Sequence, residues 1–285
     1  MRLLLTGASS AIGRRLIREI LRLGAYSEVW QARHQTALDD TDERLRVIPL
    51  DLRSPIDLEA IPAPLDLVVH VAAVTHSREI EKYWSINHQG TLRLAQAAQA
   101  RGCRRFVYLS TRCATADAGA YGESKLAAEA ALGKMDWESL LIMRPAEIYG
   151  GGGQEGIDRL ILQASTWHVA LLLFGSTRIE FAPLHIDDFA ANAGASIVKD
   201  RSGVQVIEMC GPEDLSGSML AWRLAKRFKA LPVPVWWPVM KALITGMNVG
   251  SPDQIQRLIC RKTSTARTAD TLGHIRFLAD VSDAG

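Results

Sequence analysis

Through the first half of the chain, short apolar runs alternate with longer stretches in which apolar residues recur every three or four positions. The runs at 2–5, 28–32, 46–50, 65–71, 105–109 and 140–144 predict strands, and the helical spacing at 11–23, 87–101 and 121–135 predicts helices between them. Strands that alternate with helices in this way predict a parallel sheet covered on both faces, because parallel neighbours need crossover connections. The fold class is therefore α/β, doubly wound. Four consecutive glycines at 150–153 break the rhythm, and the pattern beyond them is irregular, with three prolines in 231–238. This divides the chain into a sheet domain over 1–149, to which 179–200 returns, and a smaller region made of 150–178 and 201–285.

The turn after the first strand carries the first chemical signal. Thr6-Gly7-Ala8-Ser9-Ser10-Ala11-Ile12-Gly13 leaves an apolar strand and opens an amphipathic helix, the context in which a glycine-rich turn binds a dinucleotide. Gly7 allows the tight turn and Gly13 the close helix–strand packing, while free N–H groups at the helix start face a pyrophosphate. Ser10 stands where a middle glycine is expected; its hydroxyl can donate to phosphate, but its Cβ crowds the backbone approach. An ordinary strand–helix connection is the bland alternative. Within a Rossmann domain the cofactor contacts fall on Gly7, Ser9, Ser10, Ala11, Ile12 and Gly13. The second strand ends at Arg33-His34, where an acidic residue would hold the adenosine ribose. Arg33 instead suits a 2′-phosphate through two N–H donors, so NADP(H) is favoured over NAD(H), although a strand-end arginine is often merely solvated. Asp51-Leu52 ends the third strand, and Asp51 can accept from adenine or simply cap a loop.

Tyr121 and Lys125 lie four residues apart at a predicted helix start, which places phenol and ammonium one turn apart on one face. A nearby ammonium lowers the pKa of a phenol and fits it for proton transfer. The strand at 105–109 ends in Ser110-Thr111, which supplies a hydroxyl for a substrate oxygen.

These residues resemble the extended short-chain dehydrogenase/reductases, in particular the NAD-dependent epimerase/dehydratase family acting on nucleotide sugars. The resemblance runs through Thr6 to Gly13, Asp51-Leu52, His70-Val71-Ala72-Ala73, Asn87 with Gly90-Thr91, Phe106 to Thr111, Tyr121 to Lys125, Arg144-Pro145, Tyr149-Gly150 and His185-Ile186-Asp187-Asp188. It extends to Thr263-Ser264 and Leu272-Gly273, although the proline that ends the family's last motif is missing. The resemblance implies Tyr121 as acid/base and Lys125 as the group that lowers its pKa and binds the nicotinamide ribose. Thr111 is then the hydroxyl on the reacting oxygen, with Ser110 its backup. Ala72 and Ala73 run beside the cofactor, and Asn87 holds sheet and helix together. Arg144, Glu147 and Arg178 line the sugar-nucleotide side, or the arginines serve in structural ion pairs. Dehydratases of the family carry an Asp-Glu pair after the hydroxyl residue; here Arg112-Cys113 follows Thr111. Epimerisation or net carbonyl reduction remains, with a reductase favoured by the short loop at 112–120. The alternative is a catalytically idle NAD(P)-binding regulatory or assembly protein of the same fold, against which the Tyr121–Lys125 pair argues. The family also implies a homodimer through the helices flanking Tyr121.

Composition narrows the remaining classes. With 33 basic and 31 acidic residues among 285, the formal net charge of +2 does not suggest nucleic acid. The four cysteines and seven histidines show no metal-ligand spacing, so no metal is expected, and a reducing cytoplasm suits the cysteines. Residues 230–250 are nearly uncharged and contain Trp236-Trp237, which raises a membrane-surface helix. The prolines disfavour a spanning helix, and packing under the second region or at a subunit contact is the preferred reading.

Overall fold

The computed structural model describes residues 1–34, 36, 41–153, 156–174, 180–239, 242, 252–260 and 262. Seven parallel strands form the central sheet: β1 (Arg2–Thr6), β2 (Glu28–Arg33), β3 (Leu45–Pro49), β4 (Leu67–His70), β5 (Arg105–Leu109), β6 (Ser139–Pro145) and, from the second half, β11 (Gly203–Met209). Their order is β11-β6-β5-β4-β1-β2-β3. The chain builds outward from β1 to β3, then crosses back and continues on the other side with β4. This reversal opens a crevice beyond the tips of β1 and β4, the usual ligand position in such sheets.

Side chains alternate between two cores because successive strand residues point to opposite faces. Leu3, Leu5, Val69, Val107 and Leu141 face α1 (Ala11–Leu23) and α6 (Ile186–Val198). Leu4, Val68, Phe106, Leu140 and Ile142 face α3 (Thr91–Ala100) and α4 (Gly119–Leu132). Apolar residues on both sides of the central strands β1, β4, β5 and β6 produced the unbroken runs in the sequence. α1 forms because Gly13, Leu16, Ile17 and Ile20 share one buried face, with Ser10 capping its start and Gly24, at φ 70°, its end.

Two departures from the expected organisation concern the second half. The expected boundary placed 201–285 in the smaller region, but β11 pairs along its whole length with β6 as the edge of the main sheet. Its mixture of apolar and polar residues reflects an edge strand, and no local feature ties it to a sheet whose previous strand ended some sixty residues earlier. Two of the three prolines of 231–238, Pro232 and Pro234, fall in β13 (Leu231–Trp236), which pairs in parallel with β8 (Val169–Phe174). Leu231 N–H donates to the His168 carbonyl at 2.7 Å. Pro232 and Pro234 occupy the alternate positions, so their missing N–H groups lie on the side away from β8. Trp237 packs in the small core with Tyr149, Ile157, Leu220 and Leu224, whereas Trp236 is exposed. Among the described residues, no helix is long and apolar enough to cross a membrane.

The sequence expected one helix over 87–101. Instead α2 (Ile80–Lys82) leads into a π-helical segment, Tyr83–Gly90, before α3. Asn87 sits in it and clamps the loop after β4, accepting from Val74 N–H at 2.8 Å and donating to Val74 O at 2.9 Å. π-Segments of this kind occur often at functional sites.

His70 joins three elements: its Nδ1 lies 2.6 Å from the Thr6 hydroxyl on β1 and its Nε2 lies 2.9 Å from the Thr91 hydroxyl on α3. Burial pushes its pKa down to about 3, with the Lys125 charge acting in the same direction. The unfolded chain, with an ordinary value near 6.5, therefore binds a proton that the folded protein refuses in between. Stability should fall by about 1.4 kcal/mol per unit as pH drops below roughly 6.5 toward 3 from this group. Urea unfolding across that range should show a steeper loss for the native protein than for His70→Gln; parallel curves would contradict the assignment. At fixed pH, Leu4→Ala in the fully buried core (0% exposed) should cost about 2–5 kcal/mol. Val206→Ala on the edge strand (49% exposed) should cost under about 1 kcal/mol, and the two should leave the denaturant slope alike.

Candidate functional site

A cleft of about 710 Å³ opens at the strand tips, with the Gly7 turn at one end and Thr111, Tyr121 and Lys125 at the other. Gly7 leaves β1 with φ +74°, and a Cβ there would stand 2.8 Å from Ala72 N. A Cβ on Gly13 would run into the Gly7 carbonyl, so this glycine serves helix–strand packing as expected. Ser10 behaves differently from the expectation. Its hydroxyl donates to Gly7 O at 2.8 Å and accepts from Gly13 N–H at 2.9 Å. The hydroxyl expected at phosphate is thus held inside the turn as a helix cap.

Of the expected cofactor residues, Gly7, Ser9, Ser10, Ile12, Asp51, Leu52, Ala72, Ala73, Tyr121 and Lys125 line the cleft; Ala11, Gly13 and Arg33 do not. Arg33 borders a smaller neighbouring depression that shares His34 and Asp51 with the cleft. The basic residue on the cleft wall at that end is Arg53, which sequence reasoning missed. Arg53 Nη2 lies 2.8 Å from Asp51 Oδ2, and its hydrogen bonds hold the Asp51 carboxyl well below the usual range. His34 Nε2 is 3.4 Å from the same carboxylate oxygen. A reader of the sequence had one clue, that Arg53 follows Asp51 by two residues in a turn.

At the opposite end, β5 delivers Ser110 and Thr111, and α4 delivers Tyr121 and Lys125. The Thr111 hydroxyl stands near enough to Tyr121 to favour its ionised form, and it accepts from Cys113 N–H at 3.2 Å. Ser110 donates its hydroxyl to Glu129, a carboxylate that also pairs with Arg144 at 2.5 Å. Ser110 is therefore committed behind the strand tip, and Thr111 is the hydroxyl left to the phenol. Burial pushes Tyr121 up to about 12, opposed by the charge of Arg257 and by the Thr111 hydroxyl. The Arg257 guanidinium carbon stands 4.6 Å from the Tyr121 ring centre. Lys125, only 2% exposed, donates to Leu109 O at 2.6 Å and lies 4.3 Å from the Tyr108 ring centre. Burial pulls it down to about 7, partly countered by Glu129. Lys125, expected to lower the Tyr121 pKa, is engaged here with a strand carbonyl, and Arg257 is a second cation that stands at the phenol.

Of the expected substrate-side residues, Arg144 and Glu147 lie apart from the cleft wall. Arg144 is engaged by Glu129 and, at 3.9 Å, by Glu208, which is the structural reading of that arginine. Glu147 stands between Arg112 and Lys262, each 3.0 Å away. Burial pushes its carboxyl up, but Lys262 and Arg112 outweigh this and hold it low. Arg112, 2% exposed, follows Thr111 and fills that position with a buried ion pair. Arg178, Thr263, Ser264, Leu272 and Gly273 lie outside the described residues. Among the described residues no three His, Cys, Asp or Glu gather as metal ligands.

The backbone cradle at Gly7 and Ala72, the helix start behind it and the long cleft fit a dinucleotide, since only a Cβ-free turn lets phosphate approach the main chain. Known proteins agree with this geometry. Over 66% of its length the chain is 30% identical to the ceramide reductase of Caulobacter vibrioides, spanning 58% of that relative. It is 27% identical to the UDP-glucose 4-epimerase of Vibrio cholerae, over 95% of this chain and 89% of that one. Among solved structures, DesIV, the dTDP-glucose 4,6-dehydratase of Streptomyces venezuelae with NAD bound, superposes with a TM-score of 0.69 over 83% of this chain and 84% of that one. At 23% identity that likeness speaks for the fold. Residues 3–207 match the NAD dependent epimerase/dehydratase family, and with the seven-stranded doubly wound sheet and its tip-side cleft this chain belongs to that family.

Proposed function

We propose that the chain is an NAD(P)(H)-dependent oxidoreductase that interconverts a carbonyl and an alcohol by hydride transfer, working chiefly as a reductase. The observation that carries this reading is the gathering of Thr111, Tyr121 and Lys125 on the wall of the same cleft that the Gly7 turn lines. Bound cofactor supplies the hydride. Thr111 and Tyr121 hold the reacting oxygen between two hydroxyls, and Tyr121 gives it a proton as charge develops there. Tyr121 is protonated at neutral pH, so the proton that reduction needs is in place, and the Arg257 charge opposes the loss of acidity that burial brings. Lys125, fixed at Leu109 O beside the cleft, serves the nicotinamide ribose hydroxyls. Dehydration is disfavoured because Arg112, paired with Glu147, stands where a proton-donating acid is needed. The substrate is a nucleotide sugar or a related carbonyl compound. The reductase among the relatives supports net reduction, and the epimerase supports the nucleotide-sugar class.

For the cofactor we favour NADP(H) over NAD(H). Arg53, paired with Asp51 on the cleft wall, and Arg33, in the adjoining depression that also holds Asp57, offer guanidinium N–H donors that suit a 2′-phosphate.

The first test is oxidation of NADPH and NADH against a panel of keto-sugar nucleotides, with long-chain ketones as a second class. Tyr121→Phe should lose at least about 3 kcal/mol of transition-state stabilisation, roughly a hundredfold in rate, with cofactor affinity nearly unchanged. Near-normal turnover in that variant would sink the mechanism. Calorimetric titration of both reduced cofactors tests the second reading. Arg33→Ala and Arg53→Ala should each weaken NADPH binding, by roughly ten- to a hundredfold for whichever meets the phosphate, and barely change NADH. Equal losses for both cofactors would mean that neither arginine reads the 2′ position.

A further inference from the structure

We propose that Arg257 is a positioning residue for Tyr121: helix α8 (Pro252–Ile259) lays its guanidinium on the phenol ring and so fits that ring for proton transfer. This rests on the acid/base reading of Tyr121 given above. α8 reaches the site from the far end of the chain and is held there by specific contacts. Asp253 Oδ1 accepts the Tyr121 N–H at 3.0 Å, and Arg257, one turn along, pairs with Asp253 Oδ2 at 3.3 Å. Gly119, at φ +73°, makes room for this approach, since a Cβ there would stand 2.7 Å from Asp253 Oδ1 and overlap Gln256.

A cation over a neutral phenol is attracted by the face of the ring, and the attraction grows to that of opposite charges once the proton leaves. The contact therefore stabilises the phenolate more than the phenol. Arg257 is suited to this because a guanidinium keeps its charge at every working pH and its side chain is only 15% exposed here. Lys125 lacks that permanence. Its buried ammonium loses charge near neutrality and is turned to Leu109 O. The other groups facing the phenol act with or against the guanidinium. Asp253 on α8 and Cys113 after β5 favour the protonated form, whereas the Thr111 hydroxyl favours the ionised one. Tyr83 of the π-helical segment meets the ring edge-on at 6.0 Å, Tyr108 lies behind on β5, and His76, pushed down to about 4 by burial and by Arg257, carries no charge at neutral pH.

The test reads ionisation of Tyr121 directly. The chain has five tyrosines, so the Tyr121 signal is isolated as the absorbance difference between each protein and the same protein carrying Tyr121→Phe, with circular dichroism marking the pH range in which it stays folded. In Arg257→Gln the midpoint should rise by about one unit or more, as expected for losing an opposite charge at this range. Asp253→Asn, which can still accept the Tyr121 N–H, should move it the other way. Equal midpoints in the native protein and Arg257→Gln, including both staying protonated until they unfold, would overturn the proposal. If Arg257→Gln does not fold, Asp253→Asn decides: a lower midpoint supports the charge argument, and an unchanged or higher one rejects it. The two readings fail separately. Undiminished turnover in Tyr121→Phe removes the acid/base role whatever the midpoint does, while an unmoved midpoint beside an inactive Tyr121→Phe removes only the role of Arg257.

Discussion

Gly7 leaves β1 in a left-handed conformation with its Cα against the backbone of Ala72, and the placement of the other functional groups follows from that contact. The reversal of strand order puts β4 beside β1, so the turn after one meets the loop after the other. Neither segment could come so close with a side chain between them. Gly13 repeats the constraint one step on, where α1 rests on the Gly7 carbonyl. The helix start is thereby aimed into the cleft, and Asn87 holds the opposite wall by gripping both polar groups of Val74. A cradle made of main chain is rigid because a shift in one segment would break the hydrogen bonds of the others.

The second organising feature is the low polarity around the strand tips. His70, Tyr108, Tyr121 and Lys125 are buried together, and in each of them burial is the largest influence on ionisation, always toward the neutral form. Charges that persist there are paired. Glu129 takes Arg144 and the Ser110 hydroxyl, and Glu147 takes Arg112 and Lys262. These pairs flank Thr111 and Tyr121 without lining the cleft, so they act on the chemistry by holding the strand tip rather than by touching a ligand. Removing one partner would strand the other in a poorly solvated place, a more serious loss than any exposed ion pair involves.

Much of the fold was legible because its signals are local. Six of the seven sheet strands, α1, and the helix bearing Tyr121 and Lys125 appeared as apolar runs and helical spacing, to within a few residues. The site residues that could be read were those tied to such elements: Gly7 and Gly13 around a helix start, Thr111 at a strand end, Tyr121 and Lys125 one turn apart. The misses share a cause. β11 pairs across sixty residues, β13 hides its prolines on an unpaired edge, and Arg53 reaches the cleft from a turn that looked like any other polar loop. Ser10 and Ser110 were legible as hydroxyls beside the first turn and at a strand tip, but which partner each takes depends on neighbours that only folding supplies.

What the order of residues could establish by itself was a doubly wound α/β domain with a dinucleotide turn and a tyrosine–lysine pair, since those features need only neighbours within a turn or a strand. Folding decided which charges meet them. Arg144 looked equally suited to substrate or structure until Glu129, fifteen residues earlier, was seen to claim it. Lys125 looked like the partner of Tyr121 because they share a helix face, yet its ammonium turned to a strand carbonyl, and a guanidinium from a helix more than a hundred residues later stands over the phenol. Helical spacing sets where a side chain starts, whereas the energy of a buried charge depends on every group around its tip, and those groups converge only when distant segments pack.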